Sequence, residues 1–206
     1  MQKARFLLAN YAYPEVIETL DAAAKISASA ELFELQAWAY LEQGRRNLAR
    51  KALKKMAKKV RSRELIEKSE FLQLYLDKKY SDLIDKFEKC KSLSDDMVYL
   101  KGLTYRRLGF YKSAFATFED LAGKPDYSWR VRIQQVRMTR SRKQYPEAVA
   151  QFEQLLEHND QAAFLWFEAA LVHESQAQYQ QGLQKIETAI NLSPKKLPYQ
   201  LTRARL

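Results

Sequence analysis

Residues 99–121 read YLKGLTYRRLGFYKSAFATFEDL and place two glycines seven apart inside a pattern that is otherwise helical. Tyr105 lies between Gly102 and Gly109, and Tyr111, Ala114, Phe118 and Leu121 follow at spacings of three, four and three. This spacing describes a helix, a tight turn and a second helix with one apolar stripe. Gly109 suits the turn, because a residue free to adopt a positive φ ends the first helix with little strain. Gly102 falls in mid-helix, where glycine costs about 1 kcal/mol relative to alanine. A neighbouring helix packed against the missing side chain accounts for its presence.

The same pattern recurs along the chain. Tyr13, Arg46, Tyr80, Tyr111, Tyr145 and Tyr179 align as anchors at separations of 33, 34, 31, 34 and 34 residues. Three residues after them stand Val16, Ala49, Leu83, Ala114, Ala148 and Gly182, and seven after them Leu20, Leu53, Phe87, Phe118, Phe152 and Ile186. Ten residues after come Ala23, Met56, Cys90, Leu121, Leu155 and Ala189. Nine residues before the anchors are Ala4, Ala37, Phe71, Gly102, Val136 and Ala170; six before are Leu7, Tyr40, Leu74, Tyr105, Thr139 and His173. Small residues thus recur where two helices must approach. The large ones at seven and ten are expected to bridge each unit to the next.

These residues resemble the tetratricopeptide repeat, a unit of about 34 residues with a small residue and a tyrosine in its first helix, then alanine, an aromatic and a closing proline. Gly102, Tyr105, Gly109, Tyr111, Ala114 and Phe118 carry the pattern in one unit, and Trp166, Ala170, Ala189 and Pro194 in another. Elsewhere Phe71 and Val136 fill a small-residue slot, and Lys78 and Lys143 replace the turn glycine. The resemblance implies an all-α, right-handed superhelix of six helix pairs, concave on the side of the first helices. Units are expected at about 1–29, 30–63, 64–94, 95–128, 129–162 and 163–196, followed by a partial helix over 197–206, all in a single solenoid domain spanning 1–206. A domain belonging to a longer protein is the expectation; a complete protein ending in a short cap is the alternative.

Composition agrees with the all-α class. Only five glycines and five prolines leave little for a loop-rich β fold, and 47% apolar residues supply a core in 206 residues. No uncharged run reaches the roughly 18 residues of a membrane span, and the first twenty residues lack a signal-peptide layout, so a soluble, cytoplasmic chain is expected. Cys90 is the one cysteine, which excludes an internal disulfide and any zinc cluster built on cysteine pairs.

No catalytic constellation, cofactor motif or metal-ligand spacing emerges, and an enzyme is not expected. His158 and His173 lie fifteen apart without ligand spacing, and His173 fills the tyrosine slot, which reads as a packed side chain. Cys90 falls on an inward slot, and Asp95 with Asp96 reads as a helix N-terminal cap. Phosphate-binding glycine loops are missing.

Binding is the remaining chemistry. Helical register places Glu34, Trp38 and Leu41 of the second unit and Leu72 and Tyr75 of the third on the groove side that the resemblance implies. Tyr99, Leu103, Arg106 and Arg107 follow from the fourth, Arg130, Arg137 and Arg140 from the fifth, and Phe164, Phe167 and Leu171 from the sixth. Arginine forks between aromatic segments suit an acidic or amphipathic segment of another protein. The opposing reading is a solvated arginine face and aromatics that contact missing segments.

A second basic feature, RRNLARKALKKMAKKVRSR over residues 45–63, holds ten basic residues and no acid. Leu48, Ala49, Leu53 and Met56 or Ala57 are expected to face inward, leaving Arg50, Lys51, Lys54, Lys55 and Lys58 as an outer stripe. With a net charge of +10, that stripe invites nucleic acid or another polyanion, whose condensed counterions it would release; an ordinary solvated helix surface is the bland reading. Three functions follow: a protein-interaction scaffold, a polyanion binder, or a regulatory module of a larger enzyme or signalling protein.

Overall fold

The computed structural model describes residues 2–4 and 13–206. Leu7 of the tyrosine slot and the Tyr13 side chain lie outside the described residues. From Tyr13 onward the elements are α1 (Tyr13–Ile26), α2 (Ala30–Glu42), α3 (Arg46–Ala57), α4 (Arg63–Leu76), α5 (Tyr80–Glu88), α6 (Asp95–Leu108) and α7 (Tyr111–Ala122). They continue with α8 (Ser128–Ser141), α9 (Tyr145–His158), α10 (Ala163–Ser175), α11 (Tyr179–Leu192) and α12 (Leu197–Arg205). No strand occurs among the described residues, and no helix among them is long and apolar enough to cross a membrane.

Each of the anchors Arg46, Tyr80, Tyr111, Tyr145 and Tyr179 is the first residue of a second helix. Two residues earlier the backbone turns left-handed at Gly44 (φ 72°), Lys78 (62°), Gly109 (81°), Lys143 (62°) and Ala177 (56°). The following N–H then donates back to the carbonyl of the tyrosine slot: Arg45 to Tyr40 at 2.8 Å, Lys79 to Leu74 at 3.0 Å, Phe110 to Tyr105 at 2.9 Å, Gln144 to Thr139 at 3.1 Å, and Gln178 to His173 at 3.0 Å. This six-to-one bond across a left-handed residue is a Schellman-type stop, which satisfies a carbonyl that the ending helix orphans. Lysine and alanine therefore make the same turn as glycine, under more strain.

The one short repeat interval, from Tyr80 to Tyr111, is absorbed by α5, which has nine residues where α3, α7, α9 and α11 have 12 to 14. Cys90 consequently lies beyond the helix end. It is half-exposed, and its thiol donates to the Lys86 carbonyl at 3.4 Å, which corrects its expected place in the core.

Gly102 is explained by Phe118 of its own hairpin: a Cβ at 102 would stand 2.4 Å from Cε1 of that ring. One hairpin earlier, Phe87 stacks on Phe71 with centroids 4.6 Å apart. In these two hairpins the bulky position seven after the anchor packs within its own helix pair. Polar struts join successive hairpins. Nη2 of Arg46 donates to the Tyr80 hydroxyl at 3.0 Å, and Nζ of Lys185 reaches Glu153 at 2.6 Å.

The chain divides into two compact units, 1–132 and 133–206, with the boundary inside α8. In the first, α2 is buried on all sides, every residue from Leu32 to Ala39 being shielded, as befits a helix at the centre of a core. In the second, Ala170, Ile186, Ala189, Ile190 and Tyr199 form the core, and Trp166, Phe167, Leu183 and Leu206 pack against it.

Candidate functional site

In the first unit the side chains expected to line a groove turn on one another. Arg130 is 3% exposed, and its guanidinium carbon lies 4.1 Å from the Tyr99 ring centroid, 5.2 Å from Tyr127 and 5.4 Å from Trp38. Its Nη2 donates to Oε1 of Glu42 at 2.9 Å. Burial alone disfavours the charge, but Glu42, the two phenol oxygens and Asp96 outweigh it and hold the Arg130 pKa above its ordinary value. Tyr127 donates its hydroxyl to Asp96 at 2.5 Å. Burial first, and the Asp96 carboxylate second, push that phenol well above the usual tyrosine range.

Close by, Lys68 reaches Glu64 at 2.9 Å and the buried Glu34 at 3.8 Å. Burial would lower the Lys68 pKa; Glu64, Glu34 and Asp96 together raise it. Asp95 and Asp96 sit in the first turn of α6. Beyond favouring the helix dipole they serve as acceptors, Asp95 for Lys124 and Asp96 for Tyr127.

This arrangement changes the reading of several residues. Trp38, Tyr75, Tyr99 and Arg130 are buried, so they hold the first unit together and offer no surface to a partner. The physical reason is that Arg130 and the rings of Tyr99, Tyr127 and Trp38 satisfy one another better than they would water, once Glu42 supplies the counter-charge, while Tyr75 packs edge-on against Tyr80. Arg107 remains exposed, its Nε donating to the Tyr75 hydroxyl at 3.3 Å, and Arg106 is half-buried.

In the second unit Arg137 donates twice to Oε1 of Glu168, from Nε at 3.0 Å and Nη2 at 2.5 Å, while Nη1 of Arg140 stands 3.8 Å from Oε2 of the same carboxylate. Glu168 lies on α10 beside Phe164, Phe167 and Leu171, which are half-buried. Tyr199 of α12 packs on Phe167 with centroids 4.8 Å apart. Its pKa is pushed up to about 12, by burial first and by Glu168 second. His173 is buried and bonded through Nδ1 to Oε1 of Gln178 at 2.8 Å, the packed role expected of it.

The outer basic stripe is also divided. Arg50 is a strut: Nη2 donates to the Leu76 carbonyl at 2.7 Å and to Asp77 at 3.0 Å. Lys51, Lys54 and Lys55 on α3 and Lys58 just past its end are exposed, Lys55 lying 5.6 Å above the Phe33 ring. Facing inward are Ala49, Ala52, Leu53 and Met56, whereas Ala57 is exposed.

Sequence reasoning missed Glu42, Asp77, Tyr127 and Glu168. A signal existed for most of them, because struts between successive hairpins join residues separated by about one repeat. Arg137 and Glu168 are 31 apart, Tyr127 and Asp96 31, Arg205 and Glu174 31, and Arg50 and Asp77 27. Arg130 and Glu42 are 88 apart, and nothing in the spacing pairs them.

Solved structures share this fold. A chain of the APC/C hetero-tetramer Cut9-Hcn1 matches 94% of this chain over 39% of its own length, at a TM-score of 0.54 and 12% identity, so the present chain spans well under half of it. YrrB, described as a TPR protein with an unusual peptide-binding site, matches 98% of this chain and 89% of its own at a TM-score of 0.47 and 15% identity. The C-terminal part of a TPR repeat-containing protein from Cytophaga hutchinsonii matches 99% and 69% at a TM-score of 0.45 and 18% identity. No family model matches the sequence, and no curated protein does. At these identities the likeness is one of fold: the tandem helical hairpins are those of tetratricopeptide-repeat proteins, as the anchors at near-constant period anticipate.

Proposed function

We propose that the chain is a protein-interaction scaffold and that the α10 face of residues 133–206 takes an acidic, partly apolar segment of a partner protein. One observation supports this most: Arg137 and Arg140 share the single carboxylate of Glu168. Arg137 holds that carboxylate at hydrogen-bond distance, and Arg140 reaches it only at 3.8 Å. Arg140, with its side chain 26% exposed, is the looser cation. Phe164, Phe167 and Leu171 recur along α10 at helical spacing and add apolar contact beside it. A guanidinium fork next to half-buried ring surface recognises a carboxylate together with its apolar neighbour. Cut9-Hcn1, whose fold is similar, is described as a hetero-tetramer, and an assembly with other protein chains is the kind of role proposed.

The test is affinity capture with the immobilised chain, followed by titration of each captured protein against Arg140→Ala and Phe164→Ala, with helicity checked by circular dichroism. Loss of at least fivefold in affinity at unchanged helicity is expected. A partner that binds both variants as well as the original removes this face from consideration.

A further inference from the structure

We infer that the outer face of α3 carries a second docking site, for an acidic protein segment that inserts one apolar side chain between α3, α4 and α5. A cleft of ≈ 500 Å³ opens there, a size in the range of about 300–1,000 Å³ in which apolar groups are usually received. Leu53, Ala57 and Leu74 give it apolar walls, and Lys54, Lys86 and Glu70 stand around them. Glu70 is engaged by Lys86, so the cleft's own carboxylate is already answered. Ala57 lines the cleft with no side chain beyond Cβ, so a larger residue at that exposed position would extend into it.

The charge beside the cleft is uncompensated. Over residues 45–63 the described ion pairs are Arg50 with Asp77 and Arg63 with Glu67. Lys51, Lys54, Lys58, Lys59 and Arg61 are exposed, and none of them forms an ion pair among the described residues. Lys54 belongs to both this ridge and the cleft, and a chain that follows the lysines passes over the opening.

Nucleic acid fits this surface less well. A single strand needs aromatic platforms for its bases, and the ring beneath the ridge, Phe33, is buried under Lys55. A duplex would contact the lysines through phosphates and leave the apolar cleft unused. An acidic polypeptide with a leucine or similar side chain uses both features.

The experiment is fluorescence anisotropy with three labelled probes: an acidic peptide with a central Leu, the same peptide with Ser in its place, and a short oligouridylate. The Leu peptide should bind about tenfold more tightly than the Ser peptide, from burial of one side chain. Lys54→Glu with Lys58→Glu should weaken it about tenfold. Ala57→Phe should reduce the Leu peptide to the level of the Ser peptide, with Ala57→Leu as the smaller filler should the first variant lose helicity. Lys112→Gln, exposed on α7, should leave the affinity unchanged. The proposal is overturned if the two peptides bind alike, if none of the probes binds, if filling the cleft has no effect, or if the oligouridylate binds most tightly and weakens steeply with salt. None of these outcomes bears on Arg140 and the α10 face.

Discussion

Nη2 of Arg130 lies 2.9 Å from Oε1 of Glu42, and their side chains are 4% and 3% exposed. The guanidinium is flanked by Tyr99, Tyr127 and Trp38. Removing one charge of such a pair leaves the other buried without its hydrogen-bonded counter-charge, which costs up to about 3–5 kcal/mol. Glu42→Ala is therefore expected to lower the unfolding free energy in urea by that amount. The double variant Glu42→Leu with Arg130→Met should recover most of the loss, because apolar residues of similar size need no counter-charge. If Arg130→Met alone were nearly neutral, the interior assignment would be wrong.

Gly102 and Phe118 make a second close pair. Alanine at 102 gains about 1 kcal/mol of helix propensity, but its Cβ would stand 2.4 Å from a ring that is wholly buried. Overpacking of this kind costs about 1–3 kcal/mol, and the ring has little room to retreat, since Tyr99 lies 5.6 Å away centroid to centroid. Gly102→Ala should be net destabilising, and adding Phe118→Leu should restore part of the loss. Chemical denaturation of the two variants decides it.

The left-handed turn residues Lys78 and Lys143 (φ 62° at each) carry strain that glycine would not. Lys78→Gly and Lys143→Gly should each raise stability by up to about 1 kcal/mol, with a corresponding rise in melting temperature. Gly109→Ala should do the reverse by a similar amount.

Tyr199 should make stability fall at high pH. Its folded pKa is raised from 10.0 to about 12, so between those values the folded chain holds a proton that the unfolded chain has lost. The contribution is complete below about pH 10 and disappears as pH rises through about 12. Comparing urea midpoints across that range, Tyr199→Phe should show a shallower decline than the unmodified chain. Equal slopes would remove the phenol from the account.

What was legible in the residues follows from local geometry. Helix type and turn position depend on spacings of three, four and seven, and those spacings are properties of the chain alone. Each later anchor, from Arg46 to Tyr179, accordingly begins a helix. The interval of 31 residues before Tyr111 was visible in the sequence, but only the structure shows that α5 ends early and leaves Cys90 beyond it.

The candidate sites were less legible, because register tells which way a side chain leaves its helix and not what waits there. Arg130 and Arg140 have the same sequence character, yet one is closed in by Glu42 and three rings while the other stands 3.8 Å from a carboxylate shared with Arg137. Lys54 and Arg50 are four residues apart on one basic helix, and only Arg50 finds Asp77.

The amino-acid order by itself determined a tandem array of helical hairpins, since a residue's helical phase and its capacity to turn left-handed are local matters. Tertiary structure decided which charges are paired internally and which stay exposed. Charge compensation depends on distances of a few ångströms between residues as far apart as Glu42 and Arg130, and no local pattern encodes that separation.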